Sequence, residues 1–314
     1  MPRKIIIDTD PGVDDSMAIF FALNSPELEV IGLTTIYGNV HTSLATTNAL
    51  RLLEIAARTD IPVAQGANDP LAIPYGGPVP FVHGADGQGD ANLPPPSTCA
   101  VDQSAAVFII EQIMRQPGEV TLVPIGPLTN IALALRLEPR IAQRVREVVL
   151  MGGNALGPGN ATPAAEANIH NDPEAADVVF GAPWQVTMVG LDVTHTVHMT
   201  SADLEAYARS SKATARHIVH ILPKYRQYFE DTYGCDGIFV HDSSAIAYAI
   251  DPTLFTVQRW PVRVETSGLF SRGKTWPLVT QTDHRLPEWE GRPLVNVPTR
   301  VDGRRVVDLI LSRI

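Results

Sequence analysis

Residues 5–15 have the sequence Ile-Ile-Ile-Asp-Thr-Asp-Pro-Gly-Val-Asp-Asp. Three β-branched residues in a row predict a buried strand, and the Pro-Gly pair predicts that this strand ends in a turn. Asp14 and Asp15 then precede an apolar run that ends at Leu23. Acidic residues stabilise the first turn of a helix because they lie at the positive end of its dipole. The stretch therefore predicts a strand–turn–helix unit.

The same alternation of strand and helix continues along the chain. Continuous apolar runs predict strands at 30–36, 120–123, 148–151 and 186–189. Apolar spacings of three and four predict helices at 44–56, 107–114, 128–135 and 175–180. This order predicts an α/β fold with a mostly parallel, Rossmann-like open sheet flanked by helices. We expect residues 1–314 to form a single domain, with the active site at the carboxyl ends of the strands.

Composition excludes several classes of protein. Asp and Glu number 34 and Lys and Arg 24, so the net charge is −10. Nucleic-acid binding and a basic membrane anchor both need a positive excess, so neither is expected. No run approaches the roughly 20 apolar residues that span a bilayer, and the first apolar run stops after three residues. With only Cys99 and Cys235, we expect a cytoplasmic protein.

Four carboxylates lie within eight residues, from Asp8 to Asp15. Two like charges about 4 Å apart repel by roughly 1 kcal/mol in water and by several times more in a drier site. A solvated acidic turn with helix caps is one interpretation, and a metal site assembled from distant segments is another. An EF-hand is excluded, because its sixth position would be Val13 and its twelfth Ile19. The best distant partner for a metal site is the pair His241-Asp242.

The stretch Asp8-Thr9-Asp10-Pro11-Gly12-Val13-Asp14-Asp15 resembles the N-terminal signature of the nucleoside hydrolases. These are calcium-dependent enzymes that cleave the N-glycosidic bond of ribonucleosides. Further segments resemble the family in the same order along the chain: Gly38-Asn39-Val40, Gly126-Pro127-Leu128-Thr129-Asn130, Met151-Gly152-Gly153, Glu166-Ala167-Asn168, Asp172-Pro173-Glu174, Leu191-Asp192-Val193-Thr194 and His241-Asp242. Together they extend to about residue 265.

The resemblance implies a set of site residues. A calcium ion would be held by Asp10, Asp15, Asp242 and the main-chain carbonyl of Ile125. Asp10 would also take a proton from the attacking, metal-bound water. The implied substrate contacts are Asp14 and Asn168 at the ribose diol, Asn160 and Glu166 at the 5′-hydroxyl side, and Asn39 beside the sugar and the water. His241 would lie near the base as the acid for the leaving group.

These residue types suit the chemistry. Cleavage of an N-riboside passes through an oxocarbenium-like state, which carboxylates and amide oxygens stabilise. Histidine suits the leaving base because its pKa of about 6.5 permits both protonation states. Relatives specialised for purine nucleosides have tryptophan at this place, so His241 favours an inosine-uridine or broad, pyrimidine-leaning preference. The implied partners are a small ribonucleoside substrate and a second copy of the chain, in a homodimer or homotetramer.

Other side chains are weaker candidates for the pocket. His83 follows a Gly- and Pro-rich stretch, and His195 follows the Leu191–Thr194 motif. An aromatic set on one predicted helix is expected either to close over the base or to pack in the core: Tyr225, Tyr228, Phe229 and Tyr233. Trp260 is expected to pack on the sheet.

Three positions depart from the family pattern. Ile125 stands where threonine is common, but only its carbonyl is needed. Ala167 stands where phenylalanine is common, which predicts a larger pocket near the sugar or base. Gln88 replaces a residue that is commonly apolar, so the loop around His83 is expected to close differently.

Two alternatives stay open at this point. The Asp8-Thr9-Asp10 spacing after a strand also occurs in Mg-dependent phosphatases of the haloacid dehalogenase type. The lysine and the late Gly-Asp acidic pair of that class are not found in register. A non-catalytic nucleoside-binding relative is the second alternative, against which the complete carboxylate set argues.

Overall fold

The predicted first strand, β1 (Arg3–Thr9), lies inside a large sheet. The computed structural model describes residues 1–280 and 286–314. Ile5, Ile6 and Ile7 are each 0 % exposed. Ile5 and Ile7 pack in the apolar cluster on one face of the sheet, and Ile6 packs in the cluster on the other. This alternation shows why the run is continuously apolar, because both faces of the strand are buried.

Ten further strands are described. They are β2 (Leu28–Thr35), β3 (Val63–Gln65), β4 (Val120–Pro124), β5 (Glu147–Met151), β6 (Val186–Val189), β7 (His198–Met199), β8 (Ile238–Phe239), β9 (Phe255–Val264), β10 (Thr275–Pro277) and β11 (Leu294–Val301). Nine of the eleven form one sheet in the order β10-β9-β11-β6-β5-β4-β1-β2-β3, and β7 pairs with β8. From β11 to β3 all pairs are parallel, whereas β9 and β10 add an antiparallel edge.

Helices cover both faces of this sheet. They are α1 (Val13–Leu23), α2 (Thr42–Ile55), α3 (Pro80–His83), α4 (Ala105–Arg115), α5 (Thr129–Leu137), α6 (Ala167–Asn171), α7 (Pro173–Gly181), α8 (Leu191–Thr194), α9 (Ser201–Arg209), α10 (Ala213–Tyr233), α11 (Asp242–Ile250) and α12 (Gly303–Leu311). One apolar cluster contains residues of α1, α2, α10, α11 and α12, and the other contains residues of α4, α5 and α7. The predicted mostly parallel α/β fold is therefore confirmed.

The predicted strands and helices are present, with ends that differ by a few residues. The antiparallel edge was not predicted, because the pattern in β9 mixes exposed and buried residues. Trp260 packs partly buried against the sheet, as expected. Among the helices that the structure describes, none is long and apolar enough to cross a membrane.

Candidate active site

The turn after β1 places its acidic side chains by local hydrogen bonds. Asp15 lies in the first turn of α1 and is 0 % exposed. Its carboxylate accepts hydrogen bonds from Thr9 Oγ1 at 2.6 Å and from the backbone N of Gly12 at 3.0 Å. Asn39, in the loop after β2, adds a third donor, Nδ2, at 2.9 Å. The first two strands and α1 therefore hold Asp15 from three directions.

Asp10 is held more closely by backbone than by side chains. Its Oδ2 accepts a hydrogen bond from the backbone N of Asn39 at 2.6 Å. A Cβ at Gly38 would lie 2.0 Å from Oδ2, and a Cβ at Gly126 would lie 2.5 Å from Oδ1. Oδ1 is buried and has no hydrogen-bond partner among the described residues. A buried carboxylate oxygen without a donor fits a cation or a proton donor supplied by a ligand.

Asp242 completes an acidic cluster from the far end of the chain. It is the first residue of α11, with His241 before it. One carboxylate oxygen each from Asp14, Asp15 and Asp242 lies within 4.8 Å of the others. Burial raises the pKa of Asp14 and Asp15 to about 6, and burial together with the neighbouring carboxylates raises that of Asp242. Such repulsion favours a bound cation, and hard oxygen donors fit Ca²⁺ or Mg²⁺.

The implied ligand set and this cluster overlap but are not identical. Asp15 and Asp242 are common to both, whereas Asp14 was implied as a ribose ligand. Asp10 lies close enough for Asp15 to raise its pKa in addition to the larger effect of burial. The carbonyl of Ile125 accepts a hydrogen bond from Asn168 Nδ2 at 2.9 Å. The oxygens of Asp14, Asp15 and Asp242 lie close enough together to hold a cation.

Asp8 serves a different purpose from the other acidic residues. Its Oδ1 accepts hydrogen bonds from Thr34 Oγ1 at 2.5 Å and from Asn130 Nδ2 at 2.8 Å. Burial raises its pKa to about 7. Asp8 thus joins β1 to β2 and α5, and it does not line the pocket described next.

A pocket of about 260 Å³ opens above the acidic cluster. The five implied substrate contacts and the weaker candidates His83 and Tyr225 all line it; the five are Asp14, Asn39, Asn160, Glu166 and Asn168. His241, Asp242 and Ile125 line it as well, and so does Ala167. Asp10 and Asp15 are 1 % and 0 % exposed. The loops after β1, β2, β4 and β5 supply much of this wall, as the parallel topology predicts.

Glu166 and its neighbours form the wall on the β5 side. Glu166 Oε2 accepts hydrogen bonds from the backbone N of Gly153 at 2.8 Å and of Ile169 at 3.0 Å. Its Oε1 accepts one from the backbone N of Asn168 at 2.8 Å, so the side chain also caps α6. Asn160 Oδ1 accepts a hydrogen bond from the backbone N of Ala167 at 2.9 Å. The capping bonds orient these polar groups before any ligand binds.

Two buried histidines face the pocket. His83 Nδ1 accepts a hydrogen bond from the backbone N of Val13 at 3.2 Å, which leaves its proton on Nε2. His241 Nδ1 lies 2.9 Å from Thr194 Oγ1. Burial lowers the pKa of His83 to about 4 and that of His241 to about 3, so both rings are neutral at pH 7.

The aromatic set on α10 both packs and lines the pocket. Tyr225 and Phe229 are 1 % and 2 % exposed, and their ring centroids are 4.9 Å apart. Tyr225 also stacks on the ring of His83 at 5.3 Å. Tyr228 and Tyr233 line the pocket with them. The predicted packing of this set is therefore present, its rings also line the pocket, and closure over the base stays a prediction. His195 contacts the ring of His241 at 5.3 Å from behind the lining residues.

Among the three positions that depart from the family pattern, Gln88 has the clearest structural consequence. Its Nε2 lies within hydrogen-bond distance of Ser16 Oγ and the carbonyl of Gly12, at 3.0 and 3.2 Å. Its Oε1 is 2.9 Å from His217 Nε2 on α10. Gln88 thus ties the loop that carries His83 to the acidic turn and to the aromatic helix. The partners Thr194 and His217 had not been singled out as functional, although Thr194 lies in a quoted motif.

Comparison with known proteins identifies the family. The model of the family described as inosine-uridine preferring nucleoside hydrolase matches residues 5–308. The chain belongs to this nucleoside hydrolase family. Probable uridine nucleosidase 2 of Arabidopsis thaliana is 48 % identical over 321 residues, which cover 99 % of this chain and 97 % of that protein. Membership identifies the chain as an enzyme and excludes the phosphatase alternative.

Solved nucleoside hydrolase structures have the same fold. A plant nucleoside hydrolase matches with a TM-score of 0.97 and 42 % identity, over 100 % of this chain and 99 % of that one. A purine-preferring ribonucleoside hydrolase from Gardnerella vaginalis matches with a TM-score of 0.91 and 34 % identity, over 99 % and 98 %. The nucleoside hydrolase fold thus accommodates enzymes named for different bases.

Proposed function

We propose that this nucleoside hydrolase uses Ca²⁺ to hydrolyse ribonucleosides to free base and ribose, with an inosine-uridine or broad, pyrimidine-leaning preference. The observation that carries the proposal is the buried Oδ1 of Asp10, which lies beside the carboxylates of Asp15 and Asp242 and has no hydrogen-bond partner in the part of the chain that the structure describes. Calcium accepts six to eight oxygen ligands, including carbonyls such as that of Ile125. The donors present therefore fit the ion.

The ion supplies one part of the chemistry: when bound, it lowers the pKa of a coordinated water and orients the ribose diol. Asp10 Oδ1 accepts the proton of the attacking water, because its other oxygen is already occupied by Asn39 N. The water oxygen forms a bond to C1′ as the bond from C1′ to the base nitrogen breaks. Asp14 and Asn168 hold the diol, and their oxygens stabilise the positive charge that develops on the ribose.

His241 takes up a proton from solvent and, as the imidazolium, donates it to the departing base, which returns the ring to its neutral resting form. Both nitrogens of the imidazolium carry a proton, so Nδ1 donates to Thr194 Oγ1, 2.9 Å away, while Nε2 donates to the base. Asn160 and Glu166 contact the 5′-hydroxyl side of the ribose, and Asn39 positions the sugar and the water. His83 and Tyr225, stacked on one another, contact the substrate from the α10 side.

A substrate panel with a chelator tests this function. The purified enzyme is assayed for release of reducing sugar from uridine, inosine, cytidine and adenosine. We expect turnover of uridine and inosine, loss of turnover after metal removal, and recovery on addition of Ca²⁺. Full turnover in enzyme shown by elemental analysis to be free of metal contradicts the calcium role. Turnover of adenosine above uridine contradicts the base preference.

We also propose a homodimer or homotetramer, which the family resemblance implies. Leu269 and Phe270 support it, because each is 87 % exposed and large apolar groups at a surface favour contact with another chain. Light scattering after size exclusion measures the mass directly. A reducing compartment such as the cytoplasm is proposed from Cys99 and Cys235, which are both free.

A further inference from the structure

The loop from β5 to α6, residues 152–166, carries two of the implied ribose contacts. Asn160 and Glu166 lie on it, and both line the pocket. The loop contains no helix or strand, and loops of this kind move unless side chains tie them down. What ties this loop therefore decides how well its polar groups are placed.

Asp192 binds backbone N–H groups in the first part of this loop, the turn at residues 154–157. It lies in α8, just after β6, and has so far been given no role. Its carboxylate accepts three backbone hydrogen bonds, from Ala155 N at 2.6 Å, Leu156 N at 2.7 Å and Gly157 N at 3.1 Å. Charge-assisted bonds of this kind are about twice as strong as neutral ones.

Lys274 binds backbone carbonyl groups of the same turn. Its Nζ donates to the carbonyl of Asn154 at 2.7 Å and to that of Gly157 at 3.1 Å. Lys274 is 8 % exposed, and a buried ammonium is costly unless it is well paired. Burial lowers its pKa, and Asp192 opposes that shift. Thr275 Oγ1 adds bonds of 2.9 Å to both the N and the O of Asn154.

The clamped turn is rigidly connected to the tip of the loop. The backbone N–H groups of Asn160, Ala161 and Thr162 all point to the carbonyl of Ala165, at 3.1–3.2 Å. Asn154 Nδ2 donates to the carbonyls of Gly157 and Ala164 at 2.9 and 3.0 Å, which joins the two ends of the loop. A displacement at the turn is therefore passed on to Asn160.

We propose that Asp192 and Lys274 are positioning residues that hold Asn160 and Glu166 against the 5′ end of the ribose. Neither residue lines the pocket, so their effect is transmitted through the loop. The pair thereby sets the preference of the enzyme for a ribose that carries a 5′-hydroxyl. This inference rests on the proposed function, in which Asn160 and Glu166 contact that hydroxyl.

Substrates that lack single hydroxyl groups test the inference. For Asp192→Asn and Lys274→Met, kcat/KM is measured with uridine, 5′-deoxyuridine and 2′-deoxyuridine. We expect the preference for uridine over 5′-deoxyuridine to fall about tenfold or more, since it depends on placed hydrogen-bonding groups. The preference over 2′-deoxyuridine stays as in the wild type, because Asp14 lies in α1 and the side chain of Asn168 is held by the carbonyls of Ile125 and Met151. Lys274→Arg keeps the charge and restores part of the 5′ preference.

Arg272→Gln is the matched control. Arg272 lies in the same connection before β10, but its guanidinium forms an ion pair with Glu174 in α7, at 2.8 Å, and not with the loop. Its loss leaves the 5′ preference unchanged. Hydrogen exchange gives a second measurement that does not need activity. The amides of residues 155–157 exchange faster in Asp192→Asn and at the wild-type rate in Arg272→Gln.

Three results overturn the inference in distinguishable ways. If Asp192→Asn and Lys274→Met lower activity on uridine and 5′-deoxyuridine equally, the pair is merely structural. If the amides of residues 155–157 exchange at the wild-type rate in Asp192→Asn, Asp192 does not hold the turn. If the wild type itself does not distinguish uridine from 5′-deoxyuridine, the proposed contacts of Asn160 and Glu166 fail first, and the inference fails with them.

Discussion

Asp10 is held by the backbone N–H of Asn39 and enclosed by two glycines. Gly38 and Gly126 approach its two oxygens so closely that any larger side chain would collide with the carboxylate. Replacement of either glycine is therefore expected to displace Asp10 rather than to leave it in place. Oδ1, which has no hydrogen-bond partner among residues 1–280 and 286–314, is the atom we assign to proton transfer.

Asp10→Asn keeps the shape of the side chain and removes the base. We expect kcat on uridine to fall by about 10²–10⁴, the usual contribution of general base catalysis. Stability is retained or improved, because a buried charge is removed. Asp8→Asn is the control, since Asp8 bonds within the sheet and its loss costs little activity. Wild-type kcat in Asp10→Asn refutes the assignment of the base.

His241→Ala tests proton donation to the base. We expect a large loss of kcat on uridine, whose leaving group needs a proton. The loss on p-nitrophenyl riboside is much smaller, because p-nitrophenolate leaves without one. Thr194→Val removes the hydroxyl that orients the ring and gives a weaker form of the same pattern. Equal losses on both substrates show that His241 lines the pocket without acting as an acid.

At the scale of elements, the loop around His83 and helix α10 are tied together by Gln88 and His217. The bond of 2.9 Å joins the two walls of the pocket that carry aromatic and imidazole rings. His217 is 6 % exposed, and burial lowers its pKa to about 4. The folded state therefore favours the neutral form of His217 over the protonated form.

This burial predicts a pH dependence of stability. The folded pKa of about 4 lies below the unfolded value of 6.5, so the chain unfolds more easily as pH falls from 6.5 towards 4. At pH 5 the penalty amounts to about 2 kcal/mol. Urea unfolding at pH 7 and pH 5 measures it. His217→Gln loses this part of the pH dependence, and the exposed control His41→Gln keeps it. If the free energy of unfolding of the wild type and of both variants falls by the same amount between pH 7 and pH 5, the prediction is wrong.

At the scale of the whole molecule, the acidic cluster makes stability depend on the ion. Asp242→Asn relieves repulsion with Asp14 and Asp15, so we expect the metal-free Tm to rise by a few degrees. Calcium stabilises the wild type, by about 2.7 kcal/mol at a hundredfold excess over Kd, but not the variant. Calorimetry with and without Ca²⁺ measures both effects.

The exposed control Asp231→Asn keeps the response to calcium. We also propose that the whole chain is one domain, so each protein unfolds in a single calorimetric transition. A calcium shift that survives in Asp242→Asn places the ion elsewhere, and two separated transitions contradict the single domain.

Local sequence patterns determined the elements and their order. The Ile5-Ile6-Ile7 run, the Pro-Gly turn and the acidic first turn of α1 are present as predicted, because strand, turn and helix preferences act over a few residues. Alternation of strands and helices also determined the parallel sheet and the edge on which the loops gather. The implied site residues followed from resemblance to the family.

Only the tertiary structure decided how these residues contact one another. Tertiary packing brings Asp242 close to Asp14 and places Thr194 beside His241. It also directs the side chain of Asp8 to Thr34 in the neighbouring strand β2. The partners of Gln88 and the clamp of Asp192 and Lys274 likewise join distant segments. These contacts form because strands and helices that are distant in sequence pack together. Local sequence propensities do not specify which distant side chains this packing brings into contact.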